Sequence, residues 1–201
     1  MGAPIDFYFD FSSPYGYFAS TRIDALAEKY GRRVNWHPLA LGIVFKAIGG
    51  APLTALPLKG LYSIHDFARS ARFHGIDYRY PSNFPIATQI ASRAMLWVRT
   101  THGDDMAIGF AHAIFRALFV DDMHVGEPEN VACIATALGL DAADVLDGAN
   151  SEPIRAQFKQ AITDAMAHGV FGAPFIIVDG EAFWGFDRFD QIDALLSNGS
   201  T

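Results

Sequence analysis

Residues 5–19, IDFYFDFSSPYGYFA, carry the pattern from which the fold class can be predicted. Its first half, Ile5–Phe11, alternates in character and is rich in aromatic residues, which predicts a β-strand. Ser12-Ser13-Pro14 predicts a turn into a helix that ends near Gly31, and Val34–Pro38 predicts a second strand. The helix presents one apolar face at helical spacing, made of Ile23, Leu26, Ala27 and Tyr30. Strand, helix and strand in this order predict a βαβ unit with parallel strands.

The other end of the chain carries a different pattern. Pro174–Val178 is rich in β-forming residues, Asp179-Gly180 is typical of a type I′ turn, and Glu181–Trp184 returns as a partner strand. Asp187 is a candidate N-cap for a closing helix over Arg188–Leu196. The C-terminal segment therefore predicts a ββα unit.

The middle of the chain is helical wherever a pattern is clear. Four stretches carry helical spacing, namely Ile90–Val98, Met106–Phe119, Val131–Leu138 and Ile154–Ala167. We therefore predict an α/β fold in which a βαβ…ββα domain, residues 1–40 and 169–201, encloses a large all-helical insertion domain, residues 41–168. The sequence shows no flexible linker between the two domains. We therefore expect the helical insertion to pack against the βαβ…ββα domain, which is called the frame below.

Charge and composition exclude several classes of protein. The chain has 201 residues, about half of them apolar, which suffices for a globular core. Its net charge of −7 disfavours nucleic acid, because a phosphate backbone is repelled. Met1–Pro4 has no basic leader, and no apolar run reaches the ~20 residues of a membrane span. We expect a cytosolic protein without a membrane or nucleic-acid partner.

Metal-ligating residue types show no metal pattern. The single cysteine, Cys133, excludes an internal disulfide and any multi-cysteine site, and its apolar surroundings predict a buried, inert thiol. The histidines lack a ligand spacing such as HExxH and stand at positions 37, 65, 74, 102, 112, 124 and 168. We predict that the chain binds no metal.

The turn Ser12-Ser13-Pro14 has two interpretations. Serine before proline is a common N-cap arrangement, which makes Ser13 a structural residue. The same place at a helix start attracts an anion, and a hydroxyl there can donate to a thiolate and lower the thiol pKa. Because Ser13 is not itself a redox thiol, the thiolate has to arrive with a cofactor.

Three further motifs have a structural and a functional interpretation. Ala173-Pro174 opens a strand; if the bond is cis, the backbone of Ala173 can pair with an extended thiol peptide. Asp187 is either a helix cap or the partner of an ammonium group. Lys59, within Pro57–Tyr62, is ordinarily a solvated surface residue.

Together these residues resemble the 2-hydroxychromene-2-carboxylate isomerase family and its relatives, the kappa-class glutathione transferases. The resemblance covers nearly the whole chain and depends on the order and spacing of three motifs. They are FYFDFSSPYGYFA (Phe7–Ala19), PLKGLYSIHDFAR (Pro57–Arg69) and VFGAPFIIVDGEAFWGFDRFD (Val170–Asp190). It implies a thioredoxin-like fold, reduced glutathione as cofactor and a homodimer.

The resemblance also implies roles for individual residues. Ser13 is the catalytic serine that contacts the glutathione sulfur, and Lys59 lies near the glycine carboxylate. Ala173, followed by Pro174, pairs through its backbone with the cysteinyl part. The γ-glutamyl end is held by Phe186, through its backbone, and by Asp187.

The sequence departs from the family in one loop. Where relatives often carry an asparagine shortly after a glycine, this chain reads Ile48-Gly49-Gly50-Ala51-Pro52. A contact from that asparagine to glutathione or substrate is therefore lost or replaced.

The activity implied is the interconversion of 2-hydroxychromene-2-carboxylate and trans-o-hydroxybenzylidenepyruvate during naphthalene-type aromatic breakdown. A thiolate that adds reversibly to a conjugated carbon allows the bond to rotate. Aromatic candidates to hold the small aromatic substrate, or simply to fill the core, are Phe11, Tyr15, Trp97 and Trp184. Conjugation of glutathione to electrophiles and non-catalytic binding of a thiol peptide are the alternatives; a disulfide oxidoreductase lacks its cysteine pair.

Overall fold

The computed structural model describes residues 2–198, and within them four strands form one mixed sheet. β1 (Ile5–Phe9) runs parallel to β2 (Val34–Pro38) and antiparallel to β3 (Phe175–Val178), which pairs antiparallel with β4 (Glu181–Trp184). The strand order is β2-β1-β3-β4. Since β1 sits in the middle, the predicted βαβ and ββα units share a single sheet.

Helices account for the regular structure between β2 and β3 in the described part of the chain. α1 (Pro14–Ser20) and α2 (Ile23–Lys29) precede β2, and α10 (Phe189–Asn198) follows β4. The insertion contains α3 (Leu41–Ile48), α4 (Lys59–His74), α5 (Gln89–His102), α6 (Asp104–Phe119), α7 (Pro128–Ala137), α8 (Ala142–Asn150) and α9 (Glu152–Ala167). None of the helices within residues 2–198 has the length and hydropathy needed to cross a membrane.

The first helix differs from the prediction, because it is broken into α1 and α2. The Ser20 hydroxyl donates to the carbonyl of Tyr17 at 2.7 Å, and the Thr21 hydroxyl donates to the carbonyl of Phe18 at 2.8 Å. Side-chain donors that bond to carbonyls of the preceding turn compete with the helical ladder. A second helix, α2, therefore starts at Ile23, and it ends just before Gly31, as predicted.

The C-terminal hairpin turn is confirmed. Asp179 and Gly180 have φ angles of 52° and 88°, and two positive values define a type I′ turn. The closing helix begins one residue later than predicted. Asp187 is not its N-cap but lies inside a 3-10 turn, Phe186–Arg188, that follows Gly185 with φ 114°.

One aromatic core joins the sheet to the insertion. Phe11, on the loop after β1, is fully buried and packs edge-on against Phe9 and against Phe115 of α6, with ring centroids 5.1 and 5.0 Å apart. Tyr17 of α1 stacks on Phe119 of α6 at 5.3 Å. The insertion therefore packs directly against the frame, as expected.

The prediction of a buried cysteine is wrong. Cys133 is exposed on α7. That helix buries Val131, Ile134 and Ala135, whose spacing i, i+3 and i+4 defines one face. Cys133 stands two residues after Val131 and therefore points away from that face.

Candidate functional site

A cavity of about 520 Å³ lies between the helical insertion and the loops of the frame that follow β1 and precede β3. The frame contributes residues 12–15, the loop 171–173 and Trp184, and the insertion contributes the α3 region through residue 54 and the segment 84–89. Of the described residues that line it, only Asp10 has a charged side chain. The walls are otherwise mostly apolar, which suits the flat, apolar part of a small molecule.

Ser13 stands at the start of α1 and is largely buried. Its Oγ accepts a hydrogen bond from the Gly16 amide at 3.0 Å and donates to the carbonyl of Ala173 at 3.1 Å. The Ala173-Pro174 bond is cis, the more specific of the two expectations for this motif. Ser13 is therefore a helix cap that also brings a hydroxyl donor to the strand entry, 160 residues away in sequence.

Asp10 is a site residue that the sequence interpretation missed. Its carboxylate is 3% exposed and accepts four hydrogen bonds. The donors are the amide and hydroxyl of Ser12 at 2.8 Å each, the hydroxyl of Thr88 at 2.7 Å and the amide of Leu41 at 2.6 Å. An aspartate two residues before a serine is a signal for an Asx-turn, which was available in the sequence. No such local signal identifies Leu41 and Thr88 as its other partners, because they lie far from Asp10 in the sequence.

Tyr15 lines the cavity and connects the frame to the insertion. Its hydroxyl donates to the carboxylate of Asp66 on α4, which also binds Arg69. Burial and the bond to Asp66 raise the pKa of Tyr15 well above its ordinary value of 10.0. Burial alone would raise the pKa of Asp66, but hydrogen bonds from Tyr15 and Arg69 outweigh it and lower that pKa. The phenol therefore stays protonated, as a donor, at neutral pH.

Replacing Tyr15 by phenylalanine is expected to lower the free energy of unfolding by about 1–2 kcal/mol, since Asp66 loses a donor while the ring is retained. Folded Tyr15 keeps its proton above the pH at which an unfolded tyrosine ionises. The difference between wild type and Tyr15→Phe is therefore complete below pH 10.0 and shrinks as the pH rises further. Urea unfolding at neutral and alkaline pH measures it; a difference that grows with alkaline pH contradicts the assignment.

The four aromatic candidates for substrate contact separate into two pairs. Tyr15 and Trp184 line the cavity. Trp184 approaches so closely that a Cβ on Gly172 would lie 2.6 Å from its Nε1. Phe11 and Trp97 do not line it: Phe11 is fully buried in the aromatic core, and Trp97 packs from α5 against Gly148 of α8. Their apolar surroundings in sequence do not distinguish a core ring from a cavity ring.

Four other predicted residues lie outside the cavity lining. Pro174 directly follows the lining residue Ala173 and is joined to it by the cis bond. Lys59 is exposed at the first position of α4. Phe186 is buried, with its ring against Phe18 at 5.6 Å. Asp187 is exposed and lies 3.3 Å from Arg188. Ser13, Ala173, Tyr15 and Trp184 are the predicted residues that the fold brings together at one cavity, and a ligand reaching Lys59 or Asp187 has to extend beyond it.

The loop that departs from the family forms part of the cavity wall. Gly50, Ala51 and Pro52 all line it, so this stretch of wall is apolar. Behind it, Gly60 of α4 fits against the carbonyl of Thr54, where a Cβ would approach the oxygen to 2.6 Å. No side-chain amide replaces the family asparagine at these three positions.

Histidine and acidic residues do meet elsewhere, but in pairs. His37 lies 2.9 Å from Asp6, and His112 lies 3.4 Å from Asp24. Within residues 2–198, no group of three or more histidine, cysteine or acidic side chains is placed to hold a metal ion.

A comparison with known protein families matches residues 4–197 to the DSBA-like thioredoxin domain. The chain belongs to this family. Its mixed four-stranded sheet and helical insertion are the thioredoxin-like architecture of that domain, with Ser13 at the start of the first helix.

Relatives in this family include enzymes of two kinds. The chain is 29% identical to a 2-hydroxychromene-2-carboxylate isomerase of Sphingobium xenophagum, over 98% of this chain and 99% of that protein. It is 26% identical to glutathione S-transferase kappa 1 of Caenorhabditis elegans, over 96% and 90% of the two chains. A solved structure of a 2-hydroxychromene-2-carboxylate isomerase superimposes with a TM-score of 0.87 at 25% identity, covering 96% of this chain and 94% of that one.

Proposed function

We propose that this chain is a glutathione-dependent isomerase that interconverts 2-hydroxychromene-2-carboxylate and trans-o-hydroxybenzylidenepyruvate in the breakdown of naphthalene-type aromatic compounds. The observation that carries the proposal is the Ser13 hydroxyl, held beside Ala173 at the wall of an apolar cavity. Relatives that bear the isomerase name match along nearly the whole chain and support the same reaction.

The residues around the cavity fit glutathione. Ser13 presents a hydroxyl donor, and the backbone of Ala173 lies within hydrogen-bond distance of it. Together they suit the cysteinyl part of the tripeptide, with Pro174 next in the chain. Beyond the cavity, Lys59 is a cation for a carboxylate, and Asp187 together with the backbone of Phe186 suits the γ-glutamyl end.

When bound, glutathione supplies a thiolate that can add reversibly to a conjugated carbon of the substrate. The contribution of Ser13 is a hydrogen bond to that sulfur, which favours the ionised form. Its hydroxyl donates to a carbonyl in this structure, so it needs only a rotation to reach a new acceptor. α1 has only seven residues, so the hydroxyl rather than a helix dipole is the basis of the assignment.

The apolar cavity walls suit the aromatic ring of the substrate. Tyr15, Phe45, Phe67, Phe84 and Trp184 line it with aromatic surface. Flat rings pack edge-to-face or offset-stacked against such side chains. Ser13 itself is largely buried, and a hydrogen bond from its hydroxyl to the sulfur is stronger there than in water because the local dielectric is lower.

The direct test is to incubate the protein with 2-hydroxychromene-2-carboxylate, with and without reduced glutathione, and to follow the ultraviolet spectrum. Conversion that requires glutathione is the expected result. Conversion without glutathione, or none with it, contradicts the proposal.

Glutathione conjugation is the second candidate function. The match to a kappa-class transferase and the apolar wall at Gly50, Ala51 and Pro52 favour it, because an apolar electrophile fits that wall. Conjugation of a generic electrophile, with no isomerisation, would identify a transferase; glutathione binding with neither reaction would identify a binding module.

The resemblance to the isomerase family and the kappa-class transferases also predicts a homodimer. Size-exclusion chromatography with light scattering tests this oligomeric state.

Replacing Lys59 by glutamine is expected to raise the KM for glutathione about two- to fivefold while kcat stays nearly constant, since an exposed charge pair contributes little and only to binding. Lys159→Gln, at an exposed position of α9, is the matched control and leaves both constants unchanged. An unaltered KM in Lys59→Gln contradicts the assigned contact.

A further inference from the structure

Asp10 is a buried acidic residue whose four hydrogen-bond partners come from three separate segments. Ser12 belongs to the turn before α1, Leu41 is the first residue of α3, and Thr88 immediately precedes α5. Asp10 and these three partner residues all line the cavity. One carboxylate therefore ties together the serine turn and two parts of the insertion wall.

The partners of Asp10 are neutral groups. No lysine, arginine or histidine of the described chain forms an ion pair with it, and its hydrogen bonds come from two amides and two hydroxyls. Burial of an acidic group without a cation is costly, and hydrogen bonds have to compensate for it. The four donors supply this compensation, and together they hold the carboxylate in one position.

The turn held by Asp10 is the one that presents Ser13. The Asp10 side chain accepts from the Ser12 amide, and its backbone carbonyl accepts from the Ser13 amide at 2.9 Å. The neighbouring Phe11 anchors the same turn in the core. With both ends of the turn bonded to one residue, the Ser13 Oγ has little freedom to move relative to Ala173.

We infer that Asp10 is a positioning residue, which holds the Ser13 hydroxyl in line with the cavity and closes the α3 and α5 walls around it. The inference rests on the proposed function for its effect on turnover, but its structural part is independent of any ligand. Misplacement of a reacting group by even a fraction of an ångström is expensive in rate, so a rigid turn is valuable.

A carboxylate suits this place better than an amide. The groups around Oδ1 and Oδ2 are all donors, and the Leu41 amide reaches Oδ2 at 2.6 Å. In Asp10→Asn, one of the two oxygens becomes an NH₂ group that opposes a donor. The side chain keeps its size, so the variant changes the bonding and not the packing.

The experiment compares Asp10→Asn with wild type and with Asp141→Asn. Asp141 also accepts hydrogen bonds from two backbone amides, those of Ala143 and Asp144, but it is the exposed N-cap residue before α8 and does not line the cavity. In Asp10→Asn we expect turnover and the ultraviolet thiolate absorbance of bound glutathione to fall about fivefold at fixed pH. Asp141→Asn is expected to leave both unchanged, because asparagine caps a helix about as well as aspartate does.

A double-mutant cycle with Ser13→Ala tests whether Asp10 acts through Ser13. If it does, adding Asp10→Asn to Ser13→Ala lowers turnover less than about twofold further, because the hydroxyl to be positioned is already gone. If the double variant instead loses turnover by the product of the two single-variant factors, Asp10 acts independently of Ser13 and the inference is overturned. Wild-type turnover and thiolate absorbance in folded Asp10→Asn would overturn it as well.

Two further measurements keep the inference testable. If Asp10→Asn does not fold, Ser12→Ala removes one donor to Asp10 and is expected to reduce the thiolate absorbance about twofold; an unchanged absorbance overturns the inference. If wild type neither binds glutathione nor converts the substrate, the proposed function fails, but amide hydrogen exchange still tests the turn. Exchange at Ser12, Ser13 and Leu41 is expected to accelerate in Asp10→Asn and not in Asp141→Asn.

Discussion

Replacing Ser13 by alanine is expected to reduce turnover by about tenfold or more, the largest effect on activity that we predict. The hydroxyl is a donor within 3.1 Å of the Ala173 carbonyl, in a cavity with few other polar groups. Loss of one hydrogen bond to an ionised sulfur costs about 1.5 kcal/mol or more, which corresponds to that factor in rate. Steady-state kinetics at saturating glutathione measure it.

The same substitution also removes a helix cap, so stability has to be measured alongside. The Ser13 Oγ accepts from the Gly16 amide, and loss of a cap costs about 1 kcal/mol. Asp141→Ala is the control: Asp141 also caps a helix, since its side chain accepts from the Ala143 and Asp144 amides, but it does not line the cavity. An unchanged rate in folded Ser13→Ala would show that the serine is a cap and nothing more.

Replacing Gly148 by alanine is expected to give the largest loss of stability. A Cβ at this position of α8 would lie 2.1 Å from Cδ1 and Nε1 of Trp97 on α5. The indole is held between the helices, so relief requires a shift of the ring or of a helix, at about 2 kcal/mol or more. For a chain of this size that lowers Tm by roughly 4–8 °C, which thermal unfolding measures.

Gly109→Ala is the matched control for this prediction. It lies within α6, is exposed, and has no neighbouring atom within 4 Å of an added Cβ. There the substitution should raise the free energy of unfolding by about 0.5–1 kcal/mol, because alanine loses less backbone entropy in a helix. A neutral Gly148→Ala would mean that Trp97 is free to move, contrary to its placement as a packing residue.

The local elements could largely be predicted. β1 follows from its aromatic alternation, and the turn at Asp179-Gly180 follows from two residues that tolerate positive φ. The helix break near Ser20 was missed because hydroxyls that bond to carbonyls three residues earlier produce no change in apolar spacing. Cys133 was misplaced because an apolar run of residues does not reveal which side of a short helix faces the core.

The candidate site was predictable only in part. Ser13 and Ala173 came from motifs, but their contact joins positions 160 residues apart. Tyr15 and Trp97 look alike in sequence, as aromatic residues in or near apolar helices. Tyr15 reaches the cavity because α1 starts at the cavity wall, whereas Trp97 packs against Gly148 of α8.

Local sequence patterns account for the strands, the hairpin turn and the serine at the start of the first helix, because dihedral preferences and apolar periodicity act between near neighbours in the chain. Which side chains share the cavity depends on tertiary packing between distant segments. The four bonds to Asp10 are the clearest case, since a buried carboxylate takes donors from wherever the fold brings them. Leu41 and Thr88 became its partners through packing, and no local pattern marks them.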